Sequence, residues 1–180
     1  MSPNTTATEN IVASASGTPV FTNIVLVAAT VLTGLASGAI VLYAHTIMPG
    51  LKKTDDRTFV GAFQSMDRAI INPWFMTTFF GALILIAAAA VLHLGAGRRS
   101  VLPWLVAALV LDLVVVIITM AVNVPLNDAI KAAGDPDRIN VARARDAFNE
   151  SKWAAWNYVR VVAASGAFVI LAAVPTLKHR

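Results

Sequence analysis

Residues 101–122 read Val-Leu-Pro-Trp-Leu-Val-Ala-Ala-Leu-Val-Leu-Asp-Leu-Val-Val-Val-Ile-Ile-Thr-Met-Ala-Val, with one charge, Asp112, in the middle. A hydrocarbon core of roughly 30 Å takes about 20 helical residues. In lipid every backbone polar group must be satisfied within its own segment, so a continuous apolar run of this length predicts a helix rather than a barrel strand. Three further runs, over 21–44, 74–94 and 156–177, match it in length and character. The reading is all-α: an integral membrane four-helix bundle, with a four-helix transmembrane domain over 21–180 behind a flexible N-terminal tail over 1–20.

Composition agrees. Of the 180 residues 57% are hydrophobic and 13% charged, and mean hydropathy is +0.70. Soluble domains carry about 25% charged residues. There is no cysteine, which excludes disulfides, thiolate metal sites and cysteine nucleophiles. The net charge of +4 is small and its basic residues flank the spans, which fits a bilayer surface and not nucleic acid. No Lys or Arg precedes the first run, so the basic region of a signal peptide is missing and the run is expected to stay as a span.

The connections differ in length. Residues 95–100 form a tight turn with Arg98 and Arg99, whereas 45–73 and 123–155 are long. Loops beyond about 12–15 residues are usually functional or carry structure of their own. Four spans put both long segments, expected to be partly helical, on one face, and the turn and both termini on the other. The long segments hold nine Lys and Arg against four opposite, but seven of their acidic residues are interleaved with them. Arg98, Arg99, Lys178 and Arg180 lie densely against span ends. Short flanking clusters orient a span better, which favours cytoplasmic termini in a bacterial cytoplasmic membrane.

Polar residues inside such a bundle carry information because lipid makes them costly. Asp112, Thr119 and Asn123 share one helical face, a stripe running towards the long-loop side. It is read either as interhelical hydrogen bonding or as proton handling. Gly34 and Gly38 form a small face for close packing, within the bundle or in a homo-oligomer. His45 follows Gly38 by seven residues and is expected to point inward at the mouth, as a structural hydrogen-bonding residue or as a base. One histidine without a carboxylate pattern is a weak metal signal, so no metal is expected. Trp153, Asn157 and Arg160 fall at i, i+4 and i+7. The bland reading of this segment, Trp156 and Tyr158 included, is an interfacial aromatic belt with a snorkelling arginine. Asn72-Pro73 and Asn123-Val124-Pro125-Leu126-Asn127 mark helix boundaries, and their asparagines can simply cap. Together these residues predict a polar-mouthed pocket with aromatic walls, suited to a planar or amphipathic ligand.

The chain resembles the anthrone oxygenase-like membrane proteins over about residues 26–173. The resemblance rests on Gly34 to Gly38 leading to His45 and Met48-Pro49, on Gln64, on Arg-Ala-Ile-Ile-Asn-Pro at 68–73, on Asn-Val-Pro-Leu-Asn at 123–127 and on Trp153 to Arg160. It implies four transmembrane helices and oxidation of an anthrone, or another polycyclic aromatic or quinol-like substrate, by O2. His45 would be the base, Arg160 with Asn157 or Asn123 would stabilise an oxyanion, and Trp153 would stack on the rings. Asn127, Asn72, Gln64 and Trp156 would complete the substrate site. No cofactor is then required. The alternatives are a non-catalytic subunit binding a quinone or lipid, and a haem protein with His45 as axial ligand.

Overall fold

The computed structural model describes residues 3–95 and 99–177, with side chains from residue 20 onward. Arg98, Lys178 and Arg180, used above for orientation, lie outside the described residues, as does His179. The chain runs through α1 (Pro3–Leu42), α2 (Met48–Leu51), α3 (Asp56–Ile70), α4 (Pro73–Leu92), α5 (Leu102–Ile118), α6 (Val124–Ala132), α7 (Val141–Phe148) and α8 (Glu150–Leu177). The segment expected as a loose tail is drawn as the start of α1. No strand occurs among the described residues.

Four continuous helical stretches are long and apolar enough to cross a membrane: Val20–Leu51, Pro73–Leu92, Arg99–Ala132 and Val141–Leu177. Three of them run well past the expected ends, because the long connections continue the spans as helix. Helices α1, α4, α5 and α8 form a closed ring in which α1 packs on α4 and α8, and α5 packs on the same two. Their outer faces carry exposed Ile24, Val31, Leu35, Ile84, Val110, Val162 and Val169. Such a surface suits contact with lipid.

Inside the ring the core is built from small residues against branched ones. At the tight-turn end Ala29, Ala89, Ala108 and Ala167 pack with Ile86, Leu105 and Leu171. Alanine lets the backbones approach, which in lipid is the main source of helix–helix affinity. Gly34 serves the same end: a Cβ there would stand 2.8 Å from Phe168 Cε2 on α8. Gly38 meets nothing within 4 Å, so only the first glycine of the pair is taken up by packing within the chain.

The two long connections fold over the other end as a cap with its own aromatic core. Phe59, Phe63, Phe148 and Trp153 cluster with Met48, Val60 and Ile130. The Phe63 and Phe148 centroids are 4.4 Å apart, and Phe63 meets Trp153 edge-on at 6.0 Å. Arg145 ties the cap to α8. It donates to Glu150 Oε1 at 2.5 Å, Asp56 Oδ1 at 3.0 Å and the Thr54 carbonyl at 3.0 Å, and it lies over the Phe59 ring. Asp55 caps α3 by accepting from the Thr58 amide and hydroxyl. Those bonds hold its carboxyl below the usual carboxylate range.

Candidate functional site

Where the cap meets the ring there is a cavity of about 320 Å³. Its walls are mostly apolar and aromatic, with Ile40, Phe63, Phe75, Phe79 and Val124 among them. A few polar groups converge on it from five elements: Tyr43, Asp67, Thr119, Asn127, Asn157 and Arg160. This is the usual make-up of a small-molecule site, in which apolar area gives affinity and a few polar atoms fix the pose. Part of the rim is apolar and outward-facing: Ile71, Phe80 and Met120 line the cavity yet are 60%, 39% and 52% exposed.

Two interruptions of regular helix shape this site. Tyr43–Ile47 and Thr119–Asn123 are π-helical turns, each at the cap end of a span. Such turns insert one residue, which rotates the next stretch of helix about its axis, and they recur at functional sites. The first lies where Tyr43 reaches the cavity and the second begins with Thr119, which lines it.

At one end of the cavity sits Arg160, only 7% exposed. Its Nη1 donates to Thr119 Oγ1 at 3.0 Å and its Nη2 to Asn157 Oδ1 at 2.7 Å. Its Nε is buried without a hydrogen-bond partner among the described residues. Its Cζ lies 5.5 Å from the Trp153 ring centroid. Among the described residues no carboxylate forms an ion pair with it. A guanidinium stays charged when buried, so it demands acceptors or an anion. Here it finds two neutral oxygens and a ring face.

A chain of paired groups also borders the cavity and begins at Trp153, the ring beside Arg160. Trp153 Nε1 donates to Asn127 Oδ1 at 2.7 Å, and Asn127 Nδ2 donates to Asp67 Oδ1 at 2.6 Å. The indole N–H can only donate and the carboxylate only accepts, so the network fixes which way the amide points. Lys131 Nζ stands 2.7 Å from Asp67 Oδ2 and 3.0 Å from Asp128 Oδ1. Oδ2 is buried, with Lys131 as its charged contact among the described residues.

Of the residues singled out by sequence, Trp153, Asn157, Arg160, Asn127 and Thr119 line this cavity. The others do not. His45, expected inward, is exposed, and its Nδ1 sits 2.6 Å from Thr46 Oγ1. The inward face of α1 runs through Thr33, Ala36, Ser37 and Ile40 to Ala44. Gly38, the reference for the projection, is on the outer side, and His45 lies on that side too. An exposed imidazole off the cavity does not suit an axial haem ligand either. Asn72 is spent as the cap of α4, accepting from the Phe75 amide at 3.0 Å. Gln64 clamps α3 to the end of α6 by donating to the Ile130 and Gly134 carbonyls. Asn123 donates to the Trp153 carbonyl at 3.3 Å, behind the ring that faces the cavity. Trp156 is 40% exposed and is not part of the cavity lining. Asp112 is buried among spans, away from the cavity lining, with Oδ2 unpartnered among the described residues.

Sequence reasoning missed Tyr43, Asp67 and Lys131. The last two sat among the interleaved charges of the long connections. A signal was there: Phe59, Val60, Phe63, Gln64 and Asp67 are the buried positions of α3 and keep to helical spacing.

A protein-family model described as anthrone oxygenase matches residues 75–170, more than half of the chain. No curated protein and no solved structure matches it.

Proposed function

Since the chain belongs to the anthrone oxygenase family, we propose that it uses the cap-end cavity to oxidise an anthrone, or a closely similar polycyclic aromatic ketone, with O2. The observation that carries this reading is the buried Arg160 guanidinium, which forms no ion pair among the described residues and faces a mostly apolar and aromatic cavity. A ligand that supplies rings to Trp153, Phe75 and Phe79 and an oxyanion to Arg160 satisfies both halves of the site.

An anthrone fits that description only after losing a proton. Its methylene lies between two aromatic rings and opposite a ketone. Removal of one methylene proton leaves a carbanion delocalised onto the ketone oxygen. Arg160, with the amide of Asn157 and the phenol of Tyr43 close by, stabilises that oxyanion more than the neutral ketone. Such differential stabilisation is what lowers a barrier. The carbanion reduces O2 by one electron, and recombination gives a peroxide that takes up a proton. Loss of the second methylene proton with cleavage of the O–O bond forms the new carbonyl and releases hydroxide, which leaves as water. One atom of O2 ends in the quinone and the other in water, so the balance closes without a further reductant.

The test is O2 uptake by the protein in lipid nanodiscs supplied with anthrone, against protein-free nanodiscs. Uptake above that control, lost in Arg160→Met, is the expected result. A second reading keeps the cavity and drops the chemistry: a subunit that binds a quinone or lipid. Quenching of tryptophan fluorescence by anthraquinone, with no uptake above control from anthrone, would favour it.

A further inference from the structure

We infer that Asp67 is the proton acceptor of this site, and that Lys131 and Asp128 carry the proton from it to the surface. The inference rests on the oxidation reading above and adds to it the group that starts the reaction.

Three observations single out Asp67. It is a carboxylate that lines the cavity while only 7% exposed. The other one lining it, Asp128, has a side chain 62% exposed. The two oxygens of Asp67 are also unequal. Oδ1 is engaged by Asn127 Nδ2 at 2.6 Å, and Asn127 is held in turn by the Trp153 indole, which fixes the carboxylate plane relative to the ring that would stack on substrate. Oδ2 is buried and is met by Lys131 Nζ at 2.7 Å, which occupies one of its two lone pairs and leaves the other to take a proton. Finally, Lys131 bridges buried Asp67 at 2.7 Å and exposed Asp128 at 3.0 Å. An ammonium between two carboxylates can give one proton outward as it receives one from within.

The step balances. The methylene C–H bond breaks, an O–H bond forms on Asp67 Oδ2, and the electron pair stays in the ring system with its charge on the oxygen facing Arg160. The Lys131 ammonium first releases a proton to Asp128 and water, and the neutral amine so formed takes the proton from Asp67 Oδ2, which restores the ammonium and resets the carboxylate for the second methylene proton. A carboxylate base and an oxyanion site sharing one cavity is a known arrangement for proton abstraction beside a ketone. Arg160 and Asp67 occupy opposite roles here: a cation for the charge that develops, an anion for the proton that leaves.

Deuterium exchange into the anthrone methylene separates this step from the later reaction with O2. The full chain in nanodiscs, under argon in D2O, is expected to exchange the methylene well above protein-free nanodiscs. Asp67→Asn keeps the shape and the hydrogen bond to Asn127 yet is expected to lose on the order of 10²-fold of the excess rate. Asp67→Glu, which retains a carboxylate, is expected to recover part of it. Anthraquinone quenching of tryptophan fluorescence, preserved in both variants, shows that the cavity is intact. Exchange at the wild-type rate in Asp67→Asn would overturn the inference, as would an equal loss in both variants with quenching preserved. If the wild type fails to exchange yet consumes O2 with anthrone, Asp67 is refuted and the oxidation reading stands. If it does neither, both fall.

Discussion

Arg160 Cζ lies 5.5 Å from the centre of the Trp153 ring, two turns earlier on the same helix, and the cation has no carboxylate to face among the described residues. A buried cation over an indole gains about 2 kcal/mol, less than full desolvation of a guanidinium costs. Evolution for stability alone would put an apolar residue here. Arg160→Met is therefore expected to lose about 10²–10³-fold in turnover while its thermal midpoint stays level or rises. Parallel O2-uptake and melting measurements check both halves. A variant that melts well below the wild type would make Arg160 a structural residue and remove the main support for an anion at this position.

His45 gives the opposite expectation. The imidazole is exposed, and its hydrogen-bonding contact among the described residues is to the adjacent Thr46. Surface substitutions without special contacts usually change stability by less than about 0.5 kcal/mol. His45→Ala is expected to keep O2 uptake within twofold of wild type and to melt within a degree or two of it. Loss of uptake with stability retained would mean that the first π-helical turn rearranges to bring His45 into the cavity.

The four spans were legible because lipid leaves a chain few options: apolar length alone decides span or no span. Which residues face the cavity was less legible. Trp153, Asn157 and Arg160 lie on uninterrupted helix, so a 3.6-residue projection placed them on one face, and that face meets the cavity. His45 was projected from Gly38, a small residue taken to be inward, whereas the packed glycine is Gly34. Asn123 lies at the end of a π-helical turn that no residue in the segment announces. Asp67 and Lys131 were hidden for another reason. Charged residues between spans look solvated until the long connections are seen to fold back as a cap.

The glycine pair offers a test with two signs. Gly34→Val pushes carbon into Phe168 on α8, where even a Cβ meets ring atoms at 2.8 and 3.1 Å. Overpacking of this kind costs about 1–3 kcal/mol, and the Phe168 ring has room to swing, which puts the expected loss near the lower bound. Gly38→Ala meets nothing. It is expected to be neutral, or to stabilise by up to about 1 kcal/mol through helix propensity. Melting curves of the two variants in the same nanodiscs suffice. Destabilisation by Gly38→Ala, together with a drop in assembly size, would show instead that the outer glycine faces a second copy of the chain.

Acid should act first on the cap. The Asp55 carboxyl is held low by bonds from the Thr58 hydroxyl and amide. A group whose folded value is depressed stabilises the fold above its unfolded value, near pH ~4, and that contribution disappears as pH falls through the lower folded value. Asparagine caps a helix about as well and does not titrate in this range. Asp55→Asn should therefore match wild type at pH 7 and lose less of its stability towards pH 3. A steeper acid loss in the variant would refute the assignment.

The exposed, apolar part of the rim decides how substrate reaches Arg160. Phe80 and Met120 border the cavity and also face outward on stretches apolar enough to sit in lipid, and exposed Ile71 precedes one of those stretches by two residues. An aromatic ketone partitions into the bilayer, so its relevant concentration is moles per mole of lipid, and an opening between α4 and the end of α5 gives it a route with no aqueous step. At fixed bulk anthrone, raising the lipid-to-protein ratio is expected to lower the rate in proportion to surface dilution, with the apparent KM constant when expressed as mole fraction. Met120→Trp, which narrows the opening from the lipid side without touching Arg160 or Asp67, should raise that KM several-fold and leave kcat unchanged. If KM instead tracks bulk concentration and Met120→Trp is silent, substrate must arrive from the cap side. The cleft bordered by Lys52, Arg145, Glu150 and Tyr158 would then be the place to look, because Trp153 and Asn157 form a wall common to both spaces.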